Sequence, residues 1–129
     1  MNTGAAAAQE LIRQVVRGEK PWTDLHGIGI QVQLHGPRCT IDNPGKVRAS
    51  ADVLDLASGL LAHQHDVGEL RTWAFLMEAE GFVDWEAAEQ DPQWEDLWDG
   101  LWAVSFGNPI PEQALKAAHE IVQRKHSIA

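Results

Sequence analysis

Residues 50–61 read Ser-Ala-Asp-Val-Leu-Asp-Leu-Ala-Ser-Gly-Leu-Leu, and the order of apolar and polar side chains in this stretch decides the fold class. Its apolar residues recur at intervals of three and four: Val53, Leu56, Ala57, Leu60 and Leu61. That spacing places them on one face of a helix and predicts an amphipathic helix packed against a core. The same periodicity recurs in most of the chain that follows. The protein is therefore predicted to be mostly helical.

Residues 28–34, Ile-Gly-Ile-Gln-Val-Gln-Leu, follow a different pattern, because apolar positions alternate with polar or glycine positions. This alternation is typical of a half-buried strand. A turn is predicted at 35–37, where His, Gly and Pro follow one another, and a partner strand is predicted at 38–42. A short third strand is predicted at 46–49. Together these segments predict a small antiparallel hairpin.

Capping residues mark the ends of the other predicted helices. Gly18 is expected to end the first helix, and Gly81 the third. Asp66 is expected to cap the start of the third helix, and Asp91 the start of a later one. The predicted helical segments are 6–17, 50–65, 66–81, 84–87, 92–105 and 111–124.

The predicted fold class is α+β and mostly helical, with five or six helices packed on a small antiparallel β-hairpin of two or three strands. The length of 129 residues matches the commonest size of one domain. We therefore expect residues 1–129 to form a single globular domain.

The sequence lacks the usual signatures of enzymes. Neither a dinucleotide-binding nor a phosphate-binding glycine loop occurs, and the nucleophile-elbow pattern of hydrolases is missing. His63 and His65 diverge if they lie on a helix, so we expect them to complement a helix end rather than bind a metal. Cys39, the single cysteine, is expected to be a small buried residue on a strand. We expect no catalytic site, no metal and no cofactor.

Acidic residues and tryptophans are concentrated in the same part of the chain. The formal net charge is −9, and no Lys, Arg or His lies between Arg71 and Lys116. Five of the six tryptophans fall in that interval. A concentrated negative potential attracts basic proteins and repels phosphate backbones. We therefore expect a basic protein partner and no nucleic acid.

Four of those tryptophans occur at helical spacing with Leu and Met, which favours core packing: Trp73, Trp94, Trp98 and Trp102. Trp85 stands between Asp84 and Glu86 in a weakly amphipathic segment, so we expect its ring to be at least partly exposed. The residues predicted to bind the partner are Asp84, Trp85, Glu86, Glu89, Asp91, Glu95, Asp96 and Asp99.

The sequence favours two functions, ahead of an enzyme and of a subunit of a larger assembly that pairs through the strand at 28–34. The first is a non-catalytic protein that binds a basic partner through this acidic, tryptophan-containing surface, as an inhibitor, an immunity-like protein or an adaptor does. The alternative is a regulatory protein that binds a small molecule in a pocket lined by the four helical tryptophans. The N-terminal residues lack the pattern of a signal peptide and no apolar run is long enough to span a bilayer, so a cytoplasmic location without a membrane role is expected.

Overall fold

The computed structural model describes residues 3–35, 38–79 and 82–127 of the chain. It confirms a helical α+β fold with a small antiparallel hairpin. Short 3-10 helices occupy Trp22–Ile28 and Ala88–Gln90. The α-helices are α1 (Thr3–Val16), α2 (Val53–His63), α3 (Val67–Glu78), α4 (Trp94–Ser105) and α5 (Glu112–Ser127).

The hairpin joins β1 (Gln31–His35) to β2 (Arg38–Asp42), with Val32 opposite Ile41 and Leu34 opposite Cys39. The prediction that the first strand begins at residue 28 is wrong, because the preceding 3-10 helix extends to residue 28. Gly29 follows it with a φ of 85°, a left-handed conformation that favours glycine. The chain turns there before it extends.

The third strand predicted at 46–49 is wrong except at Ala49, and the strand found there does not extend the hairpin. β3 (Ala49–Ser50) pairs in parallel with β4 (Val83–Asp84) in a separate two-stranded sheet. The predicted helix at 84–87 is wrong, since Asp84 ends β4 and the 3-10 helix begins later. This parallel pair holds the segment after α3 against the segment before α2.

Side-chain caps begin two helices. Asp52 and Asp55 form a reciprocal capping box at the start of α2, and Asp66 accepts a hydrogen bond from the Glu69 amide at 3.1 Å. The prediction for Asp66 is confirmed. Asp91 does not cap α4, because the helix begins later, at Trp94. Gly81, expected to end α3, lies outside the described residues.

The core lies where α2 packs against α5, α1 and α3, and α4 closes it by packing against α3 and α5. Its largest fully buried side chains include Ile12, Leu56, Leu60, Phe82, Leu97, Leu101 and Ile121. None of the helices in the described ranges combines the length and apolar character needed to cross a membrane.

Candidate functional site

An open cavity of about 790 Å³ lies where the end of α3, strand β4 and the first half of α4 meet. Two indoles, Trp85 and Trp98, form part of its wall. The charged residues that line it are Arg48, Glu78, Asp84, Glu86 and Glu89. Four of these five residues are acidic, so the cavity is predominantly acidic.

The indoles belong to a cluster of three half-buried tryptophans. Trp94 stacks on Trp98 with a centroid distance of 4.7 Å and an interplanar angle of 21°. Trp85 lies 5.7 Å from Trp94 and 5.9 Å from Trp98, and its Nε1 donates to the Met77 carbonyl at 3.3 Å. The ring of Trp85 is partly exposed, as expected. Stacking and this hydrogen bond hold the rings in place.

Three of the carboxylates lie at the end of β4 and on the segment that joins it to α4. Asp84 accepts a hydrogen bond from the Glu86 amide at 3.0 Å, and the Glu89 amide donates to the Trp85 carbonyl at 2.9 Å. Ala88, between them, is buried. These contacts fix a tight turn that places Asp84, Trp85, Glu86 and Glu89 around one cavity.

Glu78, in the last turn of α3, contributes the fourth carboxyl group. Its Oε1 is buried and has no hydrogen-bond partner within the described residues. Burial raises the pKa of Glu78 to about 7, and the nearby Ser105 side chain partly offsets this rise. The side chain also lines a second, smaller cavity of about 250 Å³. The group therefore titrates near neutral pH.

The other four predicted acids do not line this cavity. Asp91 accepts a hydrogen bond from the Gln93 amide at 2.9 Å and pairs with Arg124 at 3.0 Å, so it already has partners. Glu95, Asp96 and Asp99 are exposed on α4. Glu95 and Asp99, four residues apart, share a helix face, whereas Asp96 is rotated by about 100° from Glu95.

The expectation that Trp102 packs in the core is wrong. Its side chain is 48% exposed and stacks on Phe106, which is 71% exposed, with ring centroids 5.6 Å apart. Trp73 is buried as expected, and Trp94 and Trp98 are half-buried against the core. Neither cavity contains Trp73 or Trp94 in its wall. The four helical tryptophans thus do not line either cavity together.

Sequence reasoning missed Arg48 and Glu78 as members of the site. Glu78 follows Ala74 by four residues, so it continues the apolar stripe of α3 with a charged side chain. This position signals a carboxyl group at the edge of the core. No comparable signal marks Arg48, because only the pairing of β3 with β4 brings this residue close to the acidic residues of the cavity.

No group of three or more His, Cys, Asp or Glu side chains suited to a metal ion occurs in the ranges that the structure describes. His63 ends α2 and lies 5.5 Å from the ring of Trp73, where burial lowers its pKa. Cys39 is half-buried on β2 rather than fully buried, and burial raises the pKa of its thiol. A protonated thiol is a poor nucleophile and metal ligand.

Comparison with protein-family models, with curated proteins and with solved structures finds no match. The function is therefore inferred from the geometry and charge of the site alone.

Proposed function

We propose that this protein has no catalytic activity of its own and binds a basic protein partner through an acidic, tryptophan-containing surface. The surface consists of Asp84, Trp85, Glu86, Glu89 and Trp98. Its partner is expected to be a protein with a cationic groove or patch, and the binding protein would act as an inhibitor, an immunity-like protein or an adaptor.

One observation carries the proposal: the tight turn after β4 and the first half of α4 arrange carboxylates around two indoles at an open cavity. Tryptophan is enriched among the residues that dominate binding energy at protein interfaces. Carboxylates around such rings accelerate the approach of a basic partner and disfavour acidic ones. The combination suits recognition of a cationic surface.

The exposed acids on α4 extend this surface. Glu95 and Asp99 share a helix face that is adjacent to Trp98 and Trp102, so we place them at the rim of the interface. Asp91 contributes less because Arg124 already neutralises it. Charges at a rim affect the association rate more than the lifetime of a complex.

The test compares two double variants that remove the same charge. Glu86→Gln with Glu89→Gln neutralises two of the three carboxylates of the proposed surface, and Asp24→Asn with Glu112→Gln neutralises two exposed acids elsewhere. Proteins retained from the source lysate at low salt are identified, purified and titrated against each variant by calorimetry.

The proposal predicts a basic protein that binds in a defined stoichiometry. Its affinity should fall about tenfold or more in the first variant and stay within about twofold in the second. Equal loss in both variants, or the absence of any purified partner that binds, contradicts it.

A second candidate function follows from the size of the cavity. About 790 Å³ lies within the usual range of sites for small molecules, so a free organic cation is the alternative ligand. A screen of small amines, monitored by tryptophan fluorescence, distinguishes a small-molecule ligand from a protein partner. Tight, saturable binding of a small amine without any protein partner favours this second function.

A further inference from the structure

The wall of the cavity is asymmetric in charge. Four acidic residues, Glu78, Asp84, Glu86 and Glu89, line it, and the single basic residue in its lining is Arg48, which is exposed. An anion that entered would meet four carboxyl groups and gain one favourable partner. A cation gains from all four and loses only against Arg48. The charges therefore select a cationic ligand.

The aromatic wall favours the same ligand. Indole faces carry negative potential, and tryptophan is the best of the aromatic side chains at binding a guanidinium or ammonium group. Trp94, which is not part of the wall, stacks on Trp98, and the Met77 carbonyl holds Trp85. The rings are thus positioned before any ligand arrives, which reduces the entropy lost on binding.

Glu78 adds a negative charge behind the wall of the cavity. Its Oε1 is buried without a hydrogen-bond partner within the described residues, so a ligand in the open cavity does not contact this atom. The carboxyl group attracts a cation in the cavity through its charge.

We propose that this cavity is a socket for one guanidinium or ammonium side chain, which packs against the indole wall of Trp85 and Trp98 and is attracted by the surrounding carboxyl groups, with Arg48 opposing its entry. The inference that this side chain belongs to a basic protein rests on the proposed function. The inference that the ligand is a small cationic group depends only on the residues that line the cavity. The proposal is for an organic cation and not for a divalent metal, since no three His, Cys, Asp or Glu side chains in the described ranges are placed to share a metal ion.

The first experiment needs no partner protein. N-acetyl-arginine amide is the probe, and N-acetyl-citrulline amide, which has the same shape without the charge, is the control at matched ionic strength. Indole N–H signals in ¹H–¹⁵N spectra report each tryptophan separately. We expect saturable shifts at Trp85 and Trp98 with the arginine probe alone, while Trp22 stays unchanged. Equal shifts with citrulline, or equal shifts at Trp22, overturn the proposal.

The sign of the effect at Arg48 tests the charge of the ligand. Arg48→Gln should tighten binding of the arginine probe about two- to fivefold, because it removes a repulsive exposed charge. Weaker binding in this variant overturns the proposal, since Arg48 would then support the bound probe instead of opposing it.

Neutralising the acidic wall should have the opposite effect. Glu78→Gln and Glu86→Gln should each weaken binding of the probe about two- to tenfold. Glu112→Gln on α5 makes the same charge change far along the chain and should leave the affinity unchanged. If Glu112→Gln weakens binding as much, general attraction explains the data and the socket is refuted.

The outcome separates the socket from the proposed function. If the arginine probe does not bind, but the Glu86→Gln and Glu89→Gln variant still loses a purified basic partner, the acidic surface stands and the socket falls. If the probe binds in the cavity and no protein partner exists, the socket stands and the protein-binding function falls.

Discussion

The indole Nε1 of Trp73 donates a hydrogen bond to the backbone carbonyl of Val16 at 3.0 Å, in the buried contact between α3 and the end of α1. Val16 is the last residue of α1, so its carbonyl has no partner within the helix. The Trp73 side chain therefore completes the hydrogen bonding of a helix end that is sealed from water. This contact links two elements that are far apart in the chain.

Trp73→Phe should lower the free energy of unfolding by about 1–3 kcal/mol, because it leaves the Val16 carbonyl buried without a donor. Chemical denaturation monitored by circular dichroism measures the change. Trp102→Phe, at an exposed ring, is the matched control and should change stability by less than about 0.5 kcal/mol. Similar losses in the two variants would show that the hydrogen bond is not the cause.

Gly59 leaves the space that the hydrogen bond between Trp73 and Val16 requires. A Cβ at this position of α2 would lie 2.0 Å from the Val16 carbonyl oxygen and 2.4 Å from Cζ2 of Trp73. Gly59→Ala should therefore destabilise the protein by more than about 2 kcal/mol, although alanine is favoured in a helix by about 1 kcal/mol. Thermal unfolding measures this.

Gly68→Ala is the control for that variant, since its Cβ would have no atom closer than 3.6 Å. It should leave stability unchanged or raise it by up to about 1 kcal/mol. A Gly59→Ala variant as stable as the wild type would mean that α1 and α2 separate easily.

Local signals in the sequence predicted the hairpin and the cap at Asp66, because each depends on residues that are close in the chain. The pairing of β3 with β4 could not be predicted. Each strand has two residues, too few to show a period, and the parallel pairing joins distant segments. Arg48 reached the candidate site through this pairing. The sequence also carries no signal for the turn that follows Asp84, and the segment 84–87 was therefore predicted to be a helix.

Trp102 shows why spacing alone overestimated the core. Trp94, Trp98 and Trp102 are four residues apart, but a helix needs 3.6 residues per turn, so each step rotates the side chain by about 40°. Trp102 is rotated by about 80° from Trp94 and emerges into solvent beside Phe106. The prediction that Trp85 is partly exposed was sound because charged neighbours flank it on both sides.

Arg17 joins the end of α1 to the start of α2. It contacts Asp55 at 3.3 Å, Glu10 at 2.9 Å and Glu19 at 2.7 Å, and these contacts raise its pKa. The Asp55 side chain is only 13% exposed, and burial raises its pKa. Arg17→Met should therefore cost about 1–3 kcal/mol at pH 7, because it leaves a half-buried carboxylate without its cation.

The pH dependence checks that cause. The cost of Arg17→Met should shrink as the pH falls into the acidic range, because burial raises the pKa of Asp55 and the protonated carboxyl group needs no cation. Lys20→Met, at an exposed position, should have little effect at any pH. A cost that is constant from pH 3 to pH 8 would mean that lost packing, and not the ion pair, explains the effect.

Glu78 should make the protein less stable as the pH rises through neutrality. Its pKa is about 7 in the folded protein and near 4.5 in the unfolded chain, so between these values the folded state binds more protons. Stability linked to this group is present below about pH 4.5 and is lost as the pH rises through about 7. The charged groups around the carboxyl are Arg48, Asp84, Glu86 and Glu89 in the larger cavity and Arg71 in the smaller one.

Glu78→Gln removes this titration. Relative to the wild type, the variant should gain about 1–2 kcal/mol of stability between pH 5 and pH 8, a range that allows for the partial exposure of the carboxyl group. The difference between the two proteins is the informative quantity, because burial lowers the pKa of His63 and gives the opposite slope in both. Urea unfolding at matched salt measures it at each pH. A difference that does not change with pH would place the pKa of Glu78 at its ordinary value and mean that water reaches the carboxyl group freely.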